Sequence, residues 1–64
     1  MRIQILGETK DLPENVVTDI ARLIGRPGCV HITTKYPLEL EIEGGNASDI
    51  AIIRDFGYEV KTKS

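Results

Sequence analysis

From Leu38 to Glu43 the chain alternates without a fault between apolar and acidic side chains. Leu38, Leu40 and Ile42 have one parity, and Glu39, Glu41 and Glu43 the other. A period of two puts the apolar groups on one side of an extended chain and the carboxylates on the other. A helix cannot separate them, because helical neighbours recur at three and four. The segment therefore predicts a strand buried on one face only.

The same period appears three more times. In Arg2–Leu6, Ile3 and Ile5 share a face, and Gly7 ends the run. In Cys29–Thr34, Val30, Ile32 and Thr34 oppose Cys29, His31 and Thr33. In the last segment Tyr58, Val60 and Thr62 alternate with Glu59, Lys61 and Lys63.

Two segments have the helical period instead. Asp11-Leu12-Pro13-Glu14 reads as a helix start, with Asp11 as cap, Pro13 in the first turn and Glu14 closing a capping box. Val16, Val17, Ile20, Ala21, Leu23 and Ile24 then form one apolar stripe. Gly25 supplies the stop and Pro27 forbids continuation. Asn46 is expected to cap a second helix, with Asp49 completing its box. Ile50 and Ile53 lie on one face with Phe56 a turn further, and Gly57 ends the helix.

The order βαββαβ predicts an α+β fold: a four-stranded antiparallel sheet in order 4-1-3-2 with both helices on one face, the ferredoxin-like sandwich. Residues 1–64 form a single domain. The expected core is Ile3, Ile5, Val17, Ile20, Ile24, Val30, Ile32, Leu40, Ile42, Ile50, Ile53 and Val60. Parity also constrains the central hairpin. Paired residues share a face, so paired numbers must sum to an even value. A two-residue Tyr36-Pro37 loop would set Lys35 against Leu38, and an odd loop is favoured. One such register pairs Lys35 with Glu39 and His31 with Glu43.

Composition narrows function. Eight Lys/Arg against ten Asp/Glu give a net charge of −2, which offers no whole-domain attraction to nucleic acid or anionic lipid. No apolar run approaches the roughly 20 residues of a membrane span. The only cysteine, Cys29, cannot form an internal disulfide. Together with the polar opening Arg2-Ile3-Gln4, this places the expected protein in the cytoplasm.

The uncovered sheet face should carry Glu59, Lys61 and Lys63, then Arg2 and Gln4, then Glu39, Glu41 and Glu43, then His31, Thr33 and Lys35. That pattern reads as a solvated charge ladder, or as a docking surface for a basic partner. RNA-reading sheets stack bases on aromatics at the centres of strands one and three. Gln4 and Glu41 hold those centres here, so nucleic acid is not an expected partner. Binding through a loop or helix is the remote alternative.

The element order, the chain length and the ending Ile53-Arg54-Asp55-Phe56-Gly57-Tyr58-Glu59-Val60 resemble the heavy-metal-associated domain of copper chaperones and metal-transporting ATPases. Members of that family lead into the last strand with a Gly-Tyr pair. Gly7-Glu8-Thr9 stands where they carry Gly-Met-Thr. The resemblance spans the chain and implies the same sandwich. Its metal loop, Cys-x-x-Cys, here reads Lys10-Asp11-Leu12-Pro13, and neither Lys nor Pro replaces a thiolate for a soft ion. The resemblance therefore carries no metal residues across.

Independently of it, Cys29 and His31 point to one face of a strand, with Glu41 or Glu43 opposite. These are candidate ligands for a weakly held divalent ion, short of the four that tetrahedral zinc needs. No cofactor is expected. Catalysis is not expected either, since Cys29 and His31 lie two apart on a strand, roughly 6.5–7 Å between Cα atoms. Acylphosphatases share this fold class but use an Arg-bearing loop after strand one, and Gly7–Lys10 has no Arg. Gly44-Gly45-Asn46 reads either as a tight turn or as an anion site at a helix N-terminus.

The sequence thus predicts a small non-catalytic interaction or regulatory module that binds an unknown protein or itself. Strand two or the open sheet face would form a homodimer contact. The alternative is a weak metal- or small-ligand-binding relative of the metal-chaperone fold. His31, Thr33, Lys35, Tyr36, Glu39 and Glu41 are the candidate partner-binding residues. Tyr36 either packs over the sheet end or stands exposed for a partner.

Overall fold

A computed structural model describes residues 1–7 and 11–63. The order is β1 (Arg2–Ile5), α1 (Pro13–Ile24), β2 (Val30–Thr34), β3 (Glu39–Ile42), α2 (Ala47–Phe56) and β4 (Val60–Lys63). The strands form one antiparallel sheet in the order β2-β3-β1-β4, which is the expected order read from the other edge.

The register explains which side chains are buried. Ile3 pairs with Leu40 on one side and Thr62 on the other, Ile5 pairs with Val60, and Val30 pairs with Ile42. These residues share a face with Ile50 and Ile53 of α2 and Val16, Ile20 and Ala21 of α1 in a single core. Val17, Ile24 and Ile32, expected inside, are only partly buried, while Val16, Ala21 and Leu38 take core places. In α1 the buried face is turned toward Val16 and Ile20, so Val17 and Ile24 lie at its margin.

Pro13 decides how α1 begins. The residue before a proline is pushed into extended backbone, and Leu12 adopts φ −64° and ψ 147°. Leu12 is therefore the cap residue, and its carbonyl accepts from the N–H groups of Asn15 and Val16. Asp11, expected in that role, lies one residue too early. The far end is as expected: Gly25 is left-handed, with φ 70°, and its N–H donates to the Arg22 carbonyl. The Arg26 N–H donates to the Ala21 carbonyl, which completes a Schellman closure. At α2, Asn46 accepts from the N–H groups of Ser48 and Asp49, and the full capping box with Asp49 is present.

The hairpin corrects the expected register. His31 pairs with Glu41, not Glu43, and Thr34 pairs with Glu39, so Lys35 does not. The register shifts between Ile32 and Thr34. The tip Lys35–Leu38 closes the hairpin on an odd sum, which would turn apolar residues outward. A bulge at Thr33 absorbs one residue and restores the even register, so that Ile32 still meets Leu40.

Candidate functional site

On the face opposite the helices, Glu39 and Glu41 of β3 each have a cationic partner, and Glu43, just beyond the strand, has His31 beside it. Lys63 reaches Glu39 at 3.1 Å. The amino group of Met1 donates to Glu41 at 2.6 Å and to the Ile42 carbonyl at 2.9 Å. His31 Nε2 stands 3.6 Å from Glu43 Oε1. Exposed pairs of this kind contribute little to stability. Their larger effect here is to cancel the acidic stripe as a local field.

Glu41 is held below the ordinary carboxylate range. The hydrogen bond from the Met1 amine is the main cause, and the charges of that amine, Arg2 and His31 add to it against the opposing effect of desolvation. A depressed folded-state value means that the stabilisation is complete above the unfolded carboxylate value of about 4.3. It is lost as pH falls through the folded value. Urea unfolding followed between pH 6 and 2 should therefore show an acid-limb component that Glu41→Gln removes; identical limbs would refute it.

Of the ligand candidates, His31 and Glu43 approach each other, but they make no set of three with Cys29. Cys29 is half-buried and accepts the Glu43 N–H at its carbonyl, 2.8 Å away. Among the described residues, no three of His, Cys, Asp and Glu form a group that could hold a metal ion. Of the loop compared with Cys-x-x-Cys, Lys10 lies outside the described residues, as do Glu8 and Thr9 of the Gly7-Glu8-Thr9 comparison.

The N-terminus of α2 is filled by the chain itself. Asn46 and Asp49 take up its N–H groups, and Asp49 also binds Arg26. Asp49 is only 7% exposed. Arg26 further donates through Nη1 to the carbonyls of Glu43, at 3.2 Å, and Gly44, at 2.8 Å. The glycine pair thus belongs to a turn clasped by Arg26. Gly44 has φ +67°, and a Cβ there would stand 3.0 Å from Arg26 Nη1.

The two poles of the fold differ. Leu6, Leu12, Tyr36 and Phe56 are exposed, and all lie at the end where β1 stops and α1 starts. Tyr36, at 85% exposure, does not pack over the sheet end. Phe56, a turn beyond Ile53, stacks on Tyr58 with ring centroids 5.7 Å apart. Burial raises the Tyr58 hydroxyl above its ordinary value, and the Asp19 and Asp11 carboxylates push the same way. A cleft of about 570 Å³ opens at this pole between Leu6, Leu12, Pro13, Tyr36 and Pro37.

The two sheet edges also differ. Glu59 accepts the Leu6 N–H at its carbonyl, so β4 turns the groups of Val60 and Thr62 outward. Arg54 covers the Val60 carbonyl at 2.9 Å, and Lys61 and Lys63 flank it. On β2 the Glu43–Cys29 bond sets the alternation, so the N–H and C=O of Val30 and Ile32 face away from β3. No hydrogen bond from the described residues covers them. Beside that edge, α1 and β2 enclose a second cleft of about 600 Å³, lined by Val17, Ala21, Arg22, Gly25, Gly28 and Val30.

The expected partner-binding residues thus fall into separate groups. Glu39, Glu41 and His31 lie in the neutralised ladder, Thr33 in the bulge, and Lys35 and Tyr36 at the apolar pole. The sequence reading missed Arg26, whose role depends on Asp49 far along the chain. Among the described residues, no helix is long and apolar enough to cross a membrane. In comparisons with family models, curated proteins and solved structures, the chain matches none.

Proposed function

We propose that this chain is a non-catalytic cytoplasmic interaction module of the ferredoxin-like type, and that it engages partners by strand addition at β2. One observation carries this reading: β2 offers unpaired backbone groups at Val30 and Ile32, whereas Arg54 and two lysines guard β4. Such an edge is a template for an incoming strand, and backbone bonds supply the affinity. β2 holds no Lys, Arg, Asp, Glu or Pro that would repel one. The internally neutralised open face has less to offer a charged partner. Its central residues, Gln4 and Glu41, provide no platform for stacking bases.

The test is an NMR titration with a synthetic Val-His-Ile-Thr-Thr peptide, the sequence of β2 itself. Saturable shifts and slowed amide exchange at Val30 and Ile32, with Val60 and Thr62 unmoved, are the expected result. A spectrum unchanged to millimolar peptide would overturn the reading. So would shifts confined to Leu6, Leu12 and Tyr36, which would make the cleft at the apolar pole the binding site.

A further inference from the structure

We propose that the occupant of the β2 edge is a second copy of this chain, joined about a two-fold axis that also brings α1 against its counterpart. This rests on the strand-addition reading and adds the partner and the register. The observation is the outer stripe of α1. Glu14, Thr18 and Arg22 follow at intervals of four, so they lie in a row on one face. All three are exposed, and Glu14 and Arg22 are in no ion pair among the described residues. At a rise of 1.5 Å per residue, their Cα atoms stand about 12 Å apart along the axis. They are too distant to neutralise each other within one helix.

A row with an acid at one end, a neutral hydroxyl in the middle and a base at the other is complementary to itself when reversed. An isologous two-fold contact imposes that reversal. With the axis at Thr18, Glu14 of each copy meets Arg22 of the other. The helix row and the strand edge flank the same cleft, which Thr18 and Arg22 line from α1 and Val30 lines from β2. On the strand, Val30 of each copy pairs with Ile32 of the other, which uses the outward groups of both residues. The helix contact supplies surface that one short strand lacks. A standard interface takes on the order of 800 Å² from each partner, about one fifth of the 4118 Å² exposed by this chain.

The rim pairing makes a charge-exchange test decisive. Sedimentation equilibrium should show a concentration-dependent dimer for the unmodified chain. Glu14→Arg and Arg22→Glu should each weaken it at least tenfold, and the double exchange should restore it to within about threefold. Both residues are exposed, and thermal melts of each variant confirm folding. The charges also suit the ends of a single helix. If that were their whole purpose, the double exchange would lower the melting temperature and restore no dimer. A monomer at every concentration, or a dimer indifferent to the single reversals, overturns the proposal. If the monomer still binds the β2 peptide, only the second-copy assignment fails. If a charge-sensitive dimer forms but the peptide leaves β2 untouched, strand addition fails.

Discussion

Replacing Arg26 by alanine should lower stability by about 3 kcal/mol, far more than a partly exposed arginine usually costs. The reason is what the change leaves behind. Asp49 is buried beside it, and its Oδ2 accepts only the Asn46 N–H, at 3.2 Å, once the guanidinium is gone. Truncating one partner of a buried pair typically costs about 3–5 kcal/mol, because the other charge stays uncompensated. The partial exposure of Arg26 puts this case at the low end. The carbonyls of Glu43 and Gly44 lose their donor in the same step.

A domain of this size has a stability of roughly 3–10 kcal/mol, so the variant sits close to unfolding at room temperature. Asp49→Ala should cost a similar amount, since it removes the pair and half of the capping box together. The double variant should cost clearly less than the sum, because neither charge is then stranded. Arg26→Lys should recover little, since a single ammonium cannot reach two carbonyls and a carboxylate as a planar fork does. Urea denaturation of the variants measures all of this. Strict additivity would show that the clasp is not a unit.

This clasp also marks where the sequence stopped being legible. Asn46 and Asp49 were readable as a capping box because the two partners lie within one turn. Arg26 binds across the fold, and no local pattern connects it to Asp49. The strands and their order were readable for the opposite reason. Leu38–Glu43 has one possible pairing face, and Gly25 and Gly57 mark unambiguous helix ends. Asp11 fits the capping pattern only while the constraint that Pro13 places on Leu12 is left out.

The hairpin register was half readable. Parity correctly required an even pairing through the core, but it could not show that the turn would close oddly and a bulge at Thr33 would repay the difference. Exposure of the pole was the least legible. Phe56 follows Ile53 by one turn on paper, but two steps of three residues rotate it about 120° from Ile50, and the turn at Gly57 brings the Tyr58 ring back onto it. The candidate contact residues were scattered for a related reason. Exposure and charge choose surface residues, whereas the unpaired backbone of an edge strand leaves no mark on side-chain identity.

The second large effect lies in the middle of the sheet. Leu40→Ala should cost about 3–5 kcal/mol and leave the domain largely unfolded at room temperature. Leu40 is fully buried on β3, with Ile3 paired on one side and Ile32 on the other. It therefore has neighbours from two strands as well as from the helical layer of the core. Removing a buried leucine loses its transfer free energy and leaves a cavity that the surroundings fill only in part. In a sheet the strand spacing is fixed by the ladder, so β1 and β2 cannot close on the gap. Ile32→Ala is the matched control. It sits one strand further out, is only partly buried, and borders the open edge, where the cost should be about 1–2 kcal/mol. Comparing the two in dilute protein isolates the fold from any association. If Ile32→Ala proved as costly as Leu40→Ala under those conditions, the core would extend undiminished to β2, against the partial burial of Ile32.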